Sequence, residues 1–177
     1  MIAATELTYR PAHPKDGANL WKLIGDIGTL ERNSSYCYLM MARMFSDTCV
    51  VAEFHGRPVG LVVGFCPPGR RDTAFVWQVG VHPDFRGAGL ATGLLTQLLE
   101  QTGAAYLEAT VGVSNASSRA LFTGFGRRAG AACRIDPYFT EADFPESHEA
   151  EQLYRLGPVE RRSPAYRELL ARCRPEA

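Results

Sequence analysis

Val79-Gly-Val-His-Pro-Asp-Phe-Arg-Gly-Ala-Gly-Leu-Ala91 is the stretch of this chain from which its fold is read. An apolar strand runs into a turn at His82-Pro83, then a glycine-rich loop, then a helix with leucines at Leu90, Leu94, Leu95, Leu98 and Leu99. Glycine lets backbone N–H groups approach a ligand without interference from a Cβ. A helix N-terminus adds unpaired donors and the positive end of a dipole. Arg86 is expected to place a charge at the rim of the loop. The junction therefore reads as an anion cradle that can hold a pyrophosphate. It is not a dinucleotide loop, because Thr92 stands where G-x-G-x-x-G needs its third glycine. It is not a P-loop either, since no G-K-[ST] occurs in the chain.

Upstream, Thr5–Arg10 reads as a strand and Gly17–Ile27 as a helix with Leu20, Leu23, Ile24 and Ile27 on one face. Ser35–Phe45 reads as a second helix, with Asn33 or Ser34 as its cap. Thr48–Phe54 and Pro58–Cys66 flank His55-Gly56-Arg57 as a hairpin, and Pro67-Pro68-Gly69 turns the chain into a third strand, Thr73–Val81. Downstream of the helix Gly89–Thr102 come a strand at Ala105–Val113 and a helix at Asn115–Phe125. Ala132–Ile135 and Glu151–Leu156 read as a last strand pair around an acidic loop, Asp136–Ser147. Pro164–Cys173, capped by Ser163, reads as a short final helix. Strands with helices inserted between some of them predict an α/β (α+β) fold, a mixed sheet flanked by helices.

The 177 residues suit one domain, placed at 5–160, followed by a tail at 161–177. Formal net charge is zero, which offers no general attraction for nucleic acid or an anionic membrane surface. Five dispersed cysteines and four dispersed histidines form no C-x-x-C or zinc pattern, so neither a disulfide framework nor a metal is expected. Met1–Arg10 shows no basic segment followed by an apolar one, and the expected address is cytoplasmic.

Arg86-x-x-Gly89-x-Ala91 resembles the acyl-CoA signature of the GNAT acetyltransferases, [Q/R]-x-x-G-x-[G/A]. The strand Trp77–Val81 before it and Asn115-x-x-Ser118-x-x-Leu121-Phe122 after it resemble the flanking segments of that family, in the same order. The resemblance implies the GNAT fold, with a single domain and a mostly antiparallel twisted sheet. It implies acetyl-CoA as co-substrate, held by Val79, Val81, Arg86, Gly87, Gly89, Ala91, Thr92, Asn115 and Phe122. It also implies that a backbone N–H near Val79 polarises the thioester carbonyl. A tyrosine commonly protonates the leaving thiolate at the position of Phe122, and phenylalanine has no proton to give.

Three further segments, Asn33–Tyr38, Phe45–Glu53 and Pro67–Gln78, are similar to the L-2,4-diaminobutyrate acetyltransferases within that family, which make Nγ-acetyl-diaminobutyrate on the route to ectoine. This likeness runs from about Thr8 to Leu156 and implies a homodimer. One departure is Glu31, where that family leads one to expect Asp. The substrate carries two ammonium groups and a carboxylate, so its pocket needs acids, hydroxyls and a donor. Glu31, Ser34, Ser35, Tyr36 and Tyr38 supply these in one short segment, and Glu149 and Glu151, at the start of the last strand, are placed to reach the site. Trp77 offers a π-face to an ammonium. Tyr36, Trp77 and Val79 are the candidate catalytic groups, with Tyr36 or a water as the proton donor that Phe122 cannot be. A GNAT enzyme for another small amine, a polyamine or an aminoglycoside, stays open. So does an acyl-CoA-binding module without catalysis, which Phe122 favours.

Overall fold

The computed structural model describes residues 7–173. Thr5 and Glu6 of the first expected strand, and residues 174–177 of the expected tail, lie outside the described residues. In chain order the elements are β1 (Leu7–Pro11), α1 (Gly17–Ile27), α2 (Ser35–Met44), β2 (Cys49–Phe54), β3 (Arg57–Phe65), β4 (Thr73–Val81) and α3 (Leu90–Thr102). They continue with β5 (Tyr106–Gly112), α4 (Ala116–Ala129), β6 (Cys133–Phe139), β7 (Glu151–Leu156) and α5 (Pro164–Ala171). One seven-stranded sheet runs β1-β2-β3-β4-β5-β7-β6. Neighbours pair antiparallel except β4 and β5, which are parallel. This is the α/β arrangement that the pattern of strands and helices predicts.

Each face of the sheet is covered by helices whose apolar spacing matches it. Leu20, Leu23, Ile24 and Ile27 of α1, with Tyr38 and Met41 of α2, pack on Val51, Leu61 and Val63. On the other face Leu90, Leu94, Leu95, Leu98 and Leu99 of α3 meet Val50, Val62, Ala74 and Val76. Those five leucines are at most 2% exposed, and burial of each contributes roughly 1.5–3 kcal/mol. Helix α5 is laid on α3 through Tyr166, whose hydroxyl meets Glu100 at 3.0 Å.

Two elements run longer than the sequence reading. Helix α4 continues past Phe125 because its buried face continues, from Phe125 to Ala129, and Gly130 at φ 66° ends it. Strand β6 continues to Phe139, into the segment expected to be loop, because Pro137 and Phe139 pair with Gln152 and Glu151 of β7. β6 is an edge strand, where a proline removes no ladder hydrogen bond that the sheet needs.

Candidate active site

The site begins where the sheet comes apart. β4 and β5 pair only from Thr73↔Tyr106 to Phe75↔Glu108. Above that, Val76–Val81 and Ala109–Gly112 have no ladder partner across the gap. Backbone N–H and C=O groups are obligatory hydrogen-bonders, so a parting of this kind offers a row of them to an extended ligand. Val79 lies in that stretch.

Below the fork the strands are fastened by charge. Glu108, about 1% exposed, takes both ends of the Arg70 guanidinium at 2.9 Å and pairs with Arg155 across the β5–β7 ladder. Arg155 also lies over the Tyr106 ring, 3.9 Å from its centroid. A carboxylate so deeply buried is tolerated only because it is fully paired.

Within β4, Val63 pairs with Gln78 and Gly64 with Val76, so Trp77 is the extra residue of a bulge. The bulge reverses the alternation of the strand. Ala74 and Val76, then Val79 and Val81, all face the α3 side, while Trp77 packs on the α1–α2 side. There Trp77 stacks with Tyr38, ring centroids 6.3 Å apart. The Tyr38 hydroxyl donates to Gln78 Oε1 at 2.9 Å, and Gln78 Nε2 donates to the Glu31 carbonyl at 2.7 Å. The backbone of Glu31 is thereby tied above the bulge, with its carboxylate left exposed.

The cradle forms at the upper end of β4. Gly87 and Gly89 both hold φ 80°, a conformation that costs an L side chain about 1–2 kcal/mol. A Cβ built at either glycine meets nothing within 4 Å. The first helical bond of α3 runs from Gly93 N–H to the Gly89 carbonyl. Among the described residues, the N–H groups of Leu90, Ala91 and Thr92 therefore have no partner one turn back. Val81, Arg86, Gly87, Gly89, Ala91 and Thr92, six of the residues expected to hold the co-substrate, line one cleft of about 220 Å³. Open space over glycines and free N–H groups fit the phosphates of acetyl-CoA.

Arg86 behaves differently from the rim charge expected of it. Its guanidinium turns inward, with Nε on the Val81 carbonyl at 3.3 Å and a terminal nitrogen on the Ile27 carbonyl at 3.0 Å. It braces the end of β4 against the end of α1, while Arg86 still lines the cleft. On α4, Asn115 caps the helix through the Ser118 N–H at 3.0 Å. Phe122 is buried against Tyr154, centroids 6.2 Å apart.

The remaining expected residues are less closely gathered. Ser34 and Ser35 are exposed at the start of α2, and Ser34 makes no side-chain cap bond. Tyr36 is 71% exposed and stands two residues from buried Tyr38, which on a helix turns it to the opposite face. Glu149 is engaged by the Ser114 hydroxyl and N–H, at 2.8 and 2.9 Å, which hold its carboxyl below the usual carboxylate range. Glu151 is half-buried, 3.9 Å from the His148 ring. The sequence reading missed Gln78, although a lone polar residue in an apolar strand was its signal. Among the described residues no group of three or more His, Cys, Asp or Glu is placed to hold a metal. No helix among them is long and apolar enough to cross a membrane.

The family model of the GNAT acetyltransferases matches residues 19–126, and the chain belongs to that family. Its fork, bulge and cradle all lie within or at the borders of the matched segment. A protein named L-2,4-diaminobutyric acid acetyltransferase from Virgibacillus pantothenticus is 45% identical over 150 residues, covering 82% of this chain and 94% of the relative. One of the same name from Halalkalibacterium halodurans is 42% identical over 159 residues, 88% of this chain and 84% of that one. Among solved structures, the diaminobutyrate acetyltransferase EctA from Paenibacillus lautus, in complex with L-2,4-diaminobutyric acid and coenzyme A, superposes with a TM-score of 0.81. It is 37% identical, and the match covers 88% of this chain and 97% of that one. Within the GNAT enzymes the chain belongs to the L-2,4-diaminobutyric acid acetyltransferases.

Proposed function

We propose that this protein transfers the acetyl group of acetyl-CoA to the γ-amine of L-2,4-diaminobutyrate, as in the ectoine route. The observation that carries this reading is the parting of β4 from β5, with a phosphate cradle at the upper end of β4 and a polar segment tied over its bulge. A thioester arm laid in the parting meets strand backbone along its length. Its carbonyl falls to the N–H near Val79, which stabilises the oxyanion as the amine adds. The amine must first lose its proton, because an alkylammonium has a pKa of about 10.4 and only on the order of one molecule in a thousand is free at neutral pH. Addition forms the C–N bond, collapse breaks the C–S bond, and the thiolate then takes up a proton.

Glu31, Ser34, Ser35, Tyr36 and Trp77 are assigned to the amino-acid end, with Glu149 and Glu151 as reserves. Glu149 is the weaker of the two reserves, since Ser114 already occupies its carboxylate. The same reading takes 5–160 as the transferase domain and 161–177 as a tail, and places the protein in the cytoplasm as a homodimer. Support for self-association comes from β6, an edge strand with Ile135, Tyr138 and Phe139 exposed.

Thiol release measured with diaminobutyrate, ornithine, lysine and spermidine tests the substrate. The expected result is a kcat/KM for diaminobutyrate well above the other three. Preference for spermidine would return the protein to the polyamine reading, and no release with any amine would return it to a binding module.

With Phe122 unable to serve and the Tyr38 hydroxyl held by Gln78, the proton for the thiolate is assigned to Tyr36, which is exposed to solvent, or to a water. Tyr36→Phe is expected to lower kcat about tenfold with a smaller change in KM, the signature of an interaction made only in the transition state. An unchanged kcat removes Tyr36 from the role.

A further inference from the structure

We infer that Arg128, at the end of α4, is the cation that meets the pyrophosphate of the acyl donor, in place of the rim charge expected of Arg86. Arg128 crosses to α3 and donates from one terminal nitrogen to the Thr92 hydroxyl at 3.0 Å. Thr92 is in the first turn of α3 and lines the cradle. The guanidinium thus reaches the first turn of α3, where the N–H groups of Leu90, Ala91 and Thr92 have no helical partner. A cation near the positive end of a helix dipole is unfavourable unless an anion offsets it.

The surrounding charges do not supply that anion. Glu168, which shares a small cleft with Arg128, is paired with Arg172, and Glu100 is paired with Arg161. Arg128 is exposed, and beyond its bond to the Thr92 hydroxyl most of the guanidinium's five N–H donors face solvent, open to an incoming phosphate. A guanidinium fork matches the oxygens of a phosphate. A basic residue in the last turn of a helix is ordinary, and Arg127 and Arg128 both qualify. That preference gives no reason for Arg128 to reach the N-terminus of another helix.

The inference rests on the donor being a CoA thioester, and its test needs no amine substrate. CoA and 3′-dephospho-CoA are titrated calorimetrically into the wild type, Arg128→Gln and Arg128→Lys at low and high salt. The glutamine variant is expected to bind both ligands about tenfold more weakly, with a shallower loss of affinity as salt rises. The lysine variant should recover part of the loss. Unchanged affinity accompanied by a lower Tm would make Arg128 a staple between α4 and α3 and overturn the assignment. A loss seen with CoA but not with 3′-dephospho-CoA would move the contact to the 3′-phosphate and overturn it equally. Because the readout is CoA binding alone, a wrong choice of amine leaves it untouched.

Discussion

Gly89→Val raises the KM for acetyl-CoA by more than about a hundredfold, the loss expected when two charge-assisted hydrogen bonds of roughly 1.5–3 kcal/mol each are denied. The direction of the missing Cβ is the reason. At Gly89 it meets nothing beyond its chain neighbours within 4 Å, and Gly89 lines the cleft, so a branched side chain is expected to take up the space that a phosphate must enter. The cost to the fold is at least about 1–2 kcal/mol for a left-handed backbone, and more for a β-branched side chain, or several degrees of Tm. Steady-state kinetics at varied acetyl-CoA, with a melting curve beside them, separate the two effects. A folded variant with a wild-type KM would take the loop out of the binding site. Gly89→Ala shares the backbone strain with less bulk and should fall between the two.

Glu31→Gln is expected to lower kcat/KM for diaminobutyrate by roughly ten- to a hundredfold and to release some α-acetyl product. The two amines compete, and the α-amine, with a pKa near 8 against about 10.4 for an alkyl amine, is the more often deprotonated at neutral pH. Intrinsic reactivity therefore does not direct acetylation to the γ position, and positioning has to. Gln78 and Tyr38 hold the Glu31 backbone above the bulge, which leaves its carboxylate free to take the α-ammonium. A charged hydrogen bond there contributes about 1.5–3 kcal/mol and keeps that nitrogen protonated. Steady-state rates with NMR of the product measure both consequences. If kcat/KM stays at the wild-type value and only the γ isomer forms, the anchor is another acid, with Glu151 next.

What the sequence disclosed depended on how local the signal was. The cradle was legible because its chemistry is contiguous. Glycines with positive φ, the helix start and the leucine face all fall between Arg86 and Leu99. The hairpin β2–β3 and the helices of both faces were legible for the same reason, through turn residues and apolar spacing. The bulge at Trp77 was not read, although a trace of it was present. Ala74, Val76, Val79 and Val81 share one face, and the odd step between Val76 and Val79 cannot occur in an uninterrupted strand. The strand was read as continuous because every residue from Ala74 to Val81 except Gln78 is apolar or glycine.

Non-local geometry was beyond a reading of one chain. Nothing in the spacing of β6 and β7 says that β7 inserts next to β5, and the parting of β4 from β5 is visible only once both are placed. The side-chain assignments divide in the same way. Residues lining the cradle through backbone could be named from the motif. The turn of the Arg86 guanidinium toward Ile27 and the reach of Arg128 to Thr92 depend on helices packed from distant parts of the chain.

The most direct test is product analysis. Purified protein is incubated with acetyl-CoA and L-2,4-diaminobutyrate, thiol release is followed, and the product is identified by NMR. The account predicts one CoA thiol for each acetylated molecule and Nγ-acetyl-diaminobutyrate as the product. Formation of the Nα isomer in the wild type, or no acetyl transfer while acetyl-CoA is bound, would contradict it.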